Sequence, residues 1–177
     1  VQLFSLLHAN HWLLELLAEI MGSAPRLAMI LGRNTGLLDG VLGAEFLTAL
    51  PDVDDLSKDL DQTLSRARDY QDVLDLSRRW TNDHRFHVGI QVLRNTVSPA
   101  QAVMSLSDLA DVAIRTLLPL VEREFAEQHG KFPGAEMCVL ALGKLGGREL
   151  SFTSDLDLVF LYELADAEQS DGPKPLP

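Results

Sequence analysis

Apolar residues recur at helical spacing along most of this chain, and they predict a protein that is mostly α. After Pro51, leucines follow one another at every fourth position, at Leu56, Leu60 and Leu64. This spacing places them on one face of a helix, which can then pack against a core. The same apolar face is predicted to continue beyond residue 70 toward Trp80.

The beginning of the chain has the leucine density of small packed helices. Asn10 is a predicted N-cap, and Pro25 is predicted to start a second helix that ends near Asn34. Further short helices are predicted between residues 37 and 50. Residues 1–51 are therefore predicted to form a connector of small helices.

The next region, residues 52–135, is predicted to be a bundle of longer helices. Ser98 and Pro99 are predicted to start a short helix, and Ser107 is predicted to cap a long one that ends at Gly130. The long helix has a stripe that is predicted to be buried, formed by Leu109, Val112, Ala113, Thr116, Leu117, Leu120, Val121 and Phe125.

The pattern changes after residue 135, where two apolar runs read as strands buried on both faces. The first run contains Val139, Leu140 and Leu142, and the second contains Leu156, Leu158, Val159, Phe160 and Leu161. A glycine-rich turn separates the runs. After Glu163 the chain loses periodicity and is predicted to be a mobile loop, so residues 136–177 form a β-turn-β unit followed by a loop.

Composition limits the classes of protein and partner that are consistent with this fold. Hydrophobic residues make up 46% of the 177 positions, which is enough for a core. With 26 acidic and 15 basic residues the net charge is -11, which would repel a nucleic-acid backbone, so no nucleic-acid partner is expected. No apolar run approaches the ~20 residues of a membrane span, so no membrane association is expected either.

Two features of the sequence bear on its cellular setting. The single cysteine, Cys138, lies in a predicted buried strand and has no partner for an internal disulfide, which suits a reducing cytoplasm. The first residue is Val1 rather than Met, so the chain is expected to be a piece of a longer polypeptide.

Five basic side chains lie close together in the sequence of the predicted bundle. The cluster contains Arg78, Arg79, His84, Arg85 and His87. It could bind an anion or an acidic partner, but no aromatic residues are interleaved with it, and a solvated helix face is the favoured interpretation.

An acidic pair, Asp155 and Asp157, is set into the second apolar run. Side chains alternate along a strand, so these two carboxylates are predicted to face the same way with Cα atoms roughly 6.5 Å apart. Two carboxylates on one face repel each other unless a cation lies between them. Mg²⁺ fits best, because it commonly binds through one or two carboxylates and substrate phosphates.

The glycine-rich turn supplies the complementary half of a phosphate site. Gly143, Gly146 and Gly147 lack Cβ atoms and would let a phosphate approach the backbone N–H groups, and Lys144 would reach the same phosphate. Neither a glycine turn nor an Asp-x-Asp pair is specific alone, and such a pair is more often a solvated strand face. The order strand, glycine turn, Ser154, acidic pair, strand favours nucleotidyl transfer.

The two motifs together resemble a known family. GKLGGREL from Gly143 to Leu150, followed by SDLDLVF from Ser154 to Phe160, is similar to the signature of the glutamine synthetase adenylyltransferases of the DNA polymerase beta nucleotidyltransferase superfamily. That family has one domain that removes AMP from glutamine synthetase and a second that adds it. The resemblance implies a mostly α chain with a helical connector, a bundle leading into the catalytic domain, and the first β-turn-β part of a nucleotidyltransferase α/β domain.

The resemblance also implies a reaction and roles for the residues. Asp155 and Asp157 would hold Mg²⁺, and the turn from Gly143 to Gly147 would bind the phosphates of ATP, with Lys144 steadying the departing pyrophosphate. Ser154 would position a carboxylate or phosphate oxygen. AMP would pass from ATP to a tyrosine of glutamine synthetase, the expected partner together with a PII-type signalling protein.

The third carboxylate of such a site is expected beyond Pro177, so this chain is expected to be inactive by itself. Two alternatives stay open: another nucleotidyltransferase such as a uridylyltransferase, or a non-catalytic helical interaction module.

Overall fold

The structure is mostly helical, as the apolar spacing predicts. A computed structural model describes residues 11–34, 36–37, 49–164 and 169–177. In chain order the elements are α1 (His11–Ser23), α2 (Pro25–Arg33), α3 (Val53–Leu64), α4 (Tyr70–Leu93), α5 (Pro99–His129), β1 (Glu136–Ala141), α6 (Gly143–Gly146) and β2 (Leu158–Glu163). The predicted cap at Asn10 and most of the short helices predicted between residues 37 and 50 lie outside the described residues.

Side-chain caps explain where α3, α4 and α5 begin. The Asp52 carboxylate accepts a hydrogen bond from Asp55 N–H, and Asp69 accepts one from Asp72 N–H. Ser98 forms a reciprocal capping box with its partner three residues later. Each cap satisfies an N–H group that the first helical turn leaves without a partner. The predicted helix start after Pro51 is confirmed.

The long helix differs from the sequence prediction at its beginning. α5 runs without a break for 31 residues from Pro99, and Ser107 lies buried within it rather than capping it. The Ser107 hydroxyl donates to Val103 O at 2.8 Å, a bond back to the preceding turn that keeps a serine inside a helix. The helix ends at Gly130, as predicted, and the φ of this glycine is +72°.

The stripe predicted to be buried along α5 is only partly so. Leu109 and Val112 are buried, Leu117 is half-buried, and Val121 and Phe125 are exposed. The first half of α5 packs on α3 and α4, whereas the second half extends beyond the packed part of the bundle. Periodicity identified the correct face of the helix but not the length over which that face is covered.

Three apolar clusters hold these elements together, and α4 contributes to each of them. The first cluster contains Leu13, Leu16, Ile20, Leu27, Leu31, Leu37, Phe86 and Ile90. The second contains Leu56, Leu60, Trp80, Leu109 and Val112. The third contains Val88, Ala102, Leu106, Leu145 and Leu150. Through the third cluster, the segment after β1 is fixed to the helices.

β1 and β2 form an antiparallel pair in which Glu136 lies opposite Glu163 and Ala141 opposite Leu158. The prediction that both strands are buried is wrong: most of their residues, including Cys138, are exposed. A strand is buried on both faces only when other elements cover both faces. Within the described residues these two strands pair only with each other, so the apolar side chains remain accessible.

The end of the chain has no regular secondary structure in its described part, residues 169–177, but it contacts the end of α5. The Ser170 hydroxyl donates to His129 O and accepts from Leu176 N–H, and Lys174 N–H donates to Gln128 O at 2.9 Å. No helix in the described ranges is long and apolar enough to cross a membrane.

Candidate functional site

The predicted glycine turn is a single helical turn, α6, that follows directly on β1. Gly146 N–H donates to Leu142 O and Gly147 N–H donates to Gly143 O, both at 3.0 Å. Those two amides therefore close the turn on itself. The Lys144 side chain is exposed on α6.

The acidic pair lies just before β2, not within the strand as predicted. β2 begins at Leu158, and both Asp155 and Asp157 are exposed. Asp157 still continues the strand pairing by one step, because its carbonyl oxygen accepts a hydrogen bond from Leu142 N–H at 2.8 Å. The end of β1 thereby fixes the backbone at Asp157.

Gly143 makes room for the Asp157 carboxylate. Gly143 has a φ of +52°, and a Cβ built on it would lie 2.3 Å from Asp157 Oδ2, far inside van der Waals contact. The glycine turn and the acidic pair, separate in the sequence, therefore meet at this point. A residue with a side chain at position 143 would displace the carboxylate or strain the backbone.

Asp155 lies at the edge of a different space. It lines a cavity of about 310 Å³ between α4, α5 and the segment that leads to β2, and polar groups of Thr81, Arg85, Ser151 and Ser154 line the same cavity. Leu106, Leu109, Ala110, Ala113, Leu150 and Leu156 supply the apolar part of the lining.

Ser154 is engaged in a tight turn with Ser151. Ser154 N–H donates to Ser151 O at 3.1 Å, Ser151 N–H donates to Ser154 Oγ at 3.0 Å, and the two hydroxyls are 2.8 Å apart. The hydroxyl predicted to hold a carboxylate or phosphate oxygen therefore has a local role first: it closes the turn that precedes Asp155.

The α5 helix holds the segment between the glycine turn and the acidic pair. Leu145 and Leu150 are buried in the third apolar cluster. Leu150 N–H also donates to the buried Ser107 hydroxyl at 3.3 Å. Because α5 is a long helix packed on α3 and α4, it gives the turn a fixed support.

Arg148 is a second link to α5, and sequence reasoning gave it no role. Its guanidinium pairs with Asp108, and another nitrogen of the same group lies 3.5 Å from Asp111 Oδ2. Arg148 has a φ of +56°, which is uncommon for a residue with a side chain. The available signal was two aspartates three positions apart on a helix, with an arginine in the neighbouring motif.

Arg85 is the other residue that sequence reasoning placed elsewhere, on a solvated helix face. It is half-buried, and it donates a hydrogen bond to Phe152 O at 2.6 Å. Burial, with a smaller contribution from the charge of Arg26, lowers the pKa of the Arg85 guanidinium. The Arg85 side chain thus supports the loop that carries Asp155.

The donor set fits a Mg²⁺ ion that is shared with a substrate. Within the described residues no group of three or more His, Cys, Asp or Glu side chains could hold a metal. Two aspartates are present, and Mg²⁺ commonly binds one or two carboxylates and fills its other positions with phosphate oxygens and water.

A glycine-to-alanine comparison tests the contact between Gly143 and Asp157. We expect Gly143→Ala to lower the free energy of unfolding by about 2 kcal/mol, because the positive φ and the Asp157 carboxylate both oppose a Cβ. Gly147→Ala is the matched control: its φ is -80° and its nearest neighbour lies at 3.5 Å, so we expect a change within about 0.5 kcal/mol. Urea denaturation measures both, and equal losses would contradict the assigned contact.

Comparison with a family model and comparison with curated relatives point to the same enzyme family. A family model described as glutamate-ammonia ligase adenylyltransferase matches residues 14–176. A bifunctional glutamine synthetase adenylyltransferase/adenylyl-removing enzyme of Mesorhizobium japonicum is 47% identical over 177 residues, which cover 99% of this chain and 18% of that protein. Enzymes of the same description from Brucella suis and Bradyrhizobium sp. strain ORS 278 are 44% and 41% identical, with the same coverage. The chain thus spans less than a fifth of these relatives.

Proposed function

Because this chain belongs to the glutamate-ammonia ligase adenylyltransferase family, we propose that it supplies the glycine turn and the metal-binding carboxylates of a nucleotidyltransferase centre. The reaction proposed for the complete centre is transfer of AMP from ATP to a tyrosine hydroxyl of glutamine synthetase, with release of pyrophosphate. The observation that carries this proposal is the close approach of Asp157 Oδ2 to Gly143. It brings an acidic side chain and a phosphate-type turn to one place.

Asp155 and Asp157 are the proposed Mg²⁺ ligands. Both are exposed and accessible to a substrate, and no cation of the described chain forms an ion pair with either. The chemistry that Mg²⁺ supplies when bound is neutralisation of charge on the triphosphate, which favours in-line attack at the α-phosphorus.

The remaining residues of the site are proposed to bind the phosphates or to position the turns that carry the site. Lys144, exposed on α6, is proposed to contact the phosphates that leave as pyrophosphate. Gly143, Gly146 and Gly147 are proposed to keep the turn narrow enough for those phosphates to approach the backbone. Ser154 closes the turn before Asp155, and Arg148 fixes the glycine turn to α5.

The family resemblance extends the proposal to the cellular context. The motifs are proposed to belong to the domain that adds AMP rather than the one that removes it, and residues 1–51 are proposed to be part of the helical region that joins the two. A PII-type signalling protein is the proposed regulatory partner, and the cytoplasm the proposed location.

Competition binding with nucleotides tests the proposal. We expect ATP to bind this chain in the presence of Mg²⁺ and to lose that binding when EDTA is added or when Asp155→Asn and Asp157→Asn are combined, since both carboxylates are proposed to hold the ion. Fluorescently labelled ATP displaced by unlabelled ATP or UTP gives the measurement.

The outcomes separate the alternatives. Preference for UTP would contradict ATP as the nucleotide of the proposed site. If neither nucleotide bound, the chain would be a helical interaction module with a solvated acidic pair.

A further inference from the structure

A pocket lined by arginines lies between α2 and α4, apart from the acidic pair. We call it the cationic pocket; its volume is about 480 Å³ and its charged residues are Arg26, Arg33, Arg78, Arg79, Arg85, Asp75 and Asp83. Cavities of this size accommodate small molecules. α2 contributes two of the arginines, so the pocket could not be recognised from the basic cluster of α4 alone.

The pocket has a surplus of positive charge in a strongly acidic protein. Five arginines face two aspartates, a formal surplus of three charges, whereas the whole chain carries -11. Asp75 pairs with Arg78 at 3.1 Å, and Asp83 accepts a hydrogen bond from Asn34 Nδ2 at 3.0 Å. In the part of the chain that the structure describes, no ion pair joins Arg26, Arg33, Arg79 or Arg85 to a carboxylate.

Within the described residues, the positive charge of Arg85 is not neutralised by a carboxylate in an ion pair. Its Nε atom is buried and, among the described residues, makes no hydrogen bond. The nearby charge of Arg26 adds to burial in lowering the Arg85 pKa. A buried unpaired donor and repelling guanidinium groups both cost free energy, and an anion in the pocket would offset the repulsion.

We propose that the cationic pocket binds a small molecule that presents a phosphoryl group. Guanidinium groups match phosphate geometry through paired hydrogen bonds. A surplus of three positive charges favours an anion of two or more negative charges over a single carboxylate. Met29, Ile30 and Phe152 form an apolar wall that can hold a non-polar part of the ligand. This site is distinct from the nucleotide site proposed above and goes beyond that proposal.

The ligand of this pocket would contact the loop of the acidic pair through Arg85. Arg85 lines both the cationic pocket and the cavity at Asp155, and its guanidinium donates to Phe152 O. Phe152 itself lines the cationic pocket and packs on both the first and the third apolar clusters. An anion bound to Arg85 would therefore contact a side chain that also lines the cavity at Asp155.

Isothermal titration of this chain with inorganic phosphate, pyrophosphate and AMP tests the proposal. EDTA is present throughout, so that any Mg²⁺-dependent nucleotide binding is silent, and the salt concentration is held at about 150 mM to screen diffuse attraction. We expect saturable binding of at least one of the three. Tighter binding of AMP would identify a nucleotide as the source of the phosphoryl group, and tighter binding of phosphate or pyrophosphate a free anion.

Charge variants locate the site. Arg26→Gln, at an exposed position, should weaken binding at least about tenfold, because a charge-assisted hydrogen bond is lost. Asp83→Asn should tighten it several-fold, since it removes a negative charge and keeps an acceptor for Asn34. Arg115→Gln removes the same charge as Arg26→Gln from outside the pocket and should leave the affinity within about twofold.

Three results would overturn the proposal: no saturable binding of any of the three anions, equal affinity in Arg26→Gln and the unchanged chain, or equal weakening by Arg115→Gln. None of them bears on nucleotide binding in Mg²⁺, so failure here is distinct from failure of the adenylyltransferase proposal.

Discussion

Asp155→Asn or Asp157→Asn is expected to lower kcat for AMP transfer by at least about a hundredfold in a full-length adenylyltransferase that contains this segment. Each carboxylate is proposed to hold Mg²⁺ against the triphosphate, and one such charge contributes several kcal/mol to transition-state stabilisation. Asparagine keeps the shape and removes the charge. The loss should therefore appear in kcat and in its Mg²⁺ dependence.

Folding should be nearly unaffected by the same substitutions. Both aspartates are exposed, and the structural contact of Asp157 with Leu142 runs through its backbone carbonyl, which asparagine retains. Removing one of two neighbouring negative charges relieves repulsion and can raise the melting temperature slightly.

The measurement is the initial rate at increasing Mg²⁺ concentration, together with the melting temperature of each variant. Glu163→Gln is the matched control, because it removes an exposed carboxylate at the far end of β2 and should leave the rate unchanged. Wild-type kinetics in either aspartate variant would end the catalytic assignment and favour a solvated acidic pair.

Trp80→Ala is expected to lower the free energy of unfolding by about 3 kcal/mol, in the range of large-to-small core substitutions. Trp80 is 5% exposed and packs in the second apolar cluster with Leu56 and Leu60. Its Nε1 donates to Asp59 Oδ2 at 2.7 Å, and its ring lies 4.6 Å from that of His84. Alanine removes the packed volume and leaves Asp59 without its indole donor.

Chemical denaturation of three alanine variants tests whether the loss of unfolding free energy follows the burial of the side chain. Leu117 belongs to the stripe that periodicity predicted to be buried, but it is half-buried, so Leu117→Ala should cost less than Trp80→Ala. Phe125, 53% exposed on the same helix, is the control, and Phe125→Ala should cost under about 0.5 kcal/mol. A loss under about 0.5 kcal/mol in Trp80→Ala would contradict the packing of the second cluster.

Local sequence was sufficient wherever structure depends on neighbours in the chain. Asp52 and Gly130 mark the start of α3 and the end of α5 because capping is satisfied within a few residues. Leu56 and Leu60 of α3 are buried as their spacing predicts, and Leu64 is half-buried. The glycine turn and acidic pair predicted a nucleotide-type site, and the comparisons confirm the family that the motifs resemble.

Local sequence failed at positions whose state depends on distant segments. Ser107 was read as a cap because serine favours helix starts, yet it lies inside α5, where it accepts a hydrogen bond from Leu150. The apolar strands were read as buried because nothing in their own sequence shows whether other elements cover them. Asp155 and Asp157 precede β2, although their alternation with leucine suggested a strand.

The sequence by itself determined where most of the helices lie, the caps at Asp52 and Gly130, and the motif that places the chain in its family, because each depends on residues a few positions apart. The tertiary structure alone decided how the motif is held and which charges meet. It brought Gly143 against Asp157, Arg148 onto Asp108, and Arg26 beside Arg85. These residues are 14 to 59 positions apart in the sequence. The pairing of β1 with β2 fixes the first pair, and the packing of the helices fixes the other two, because neither periodicity nor local propensity carries information over that range.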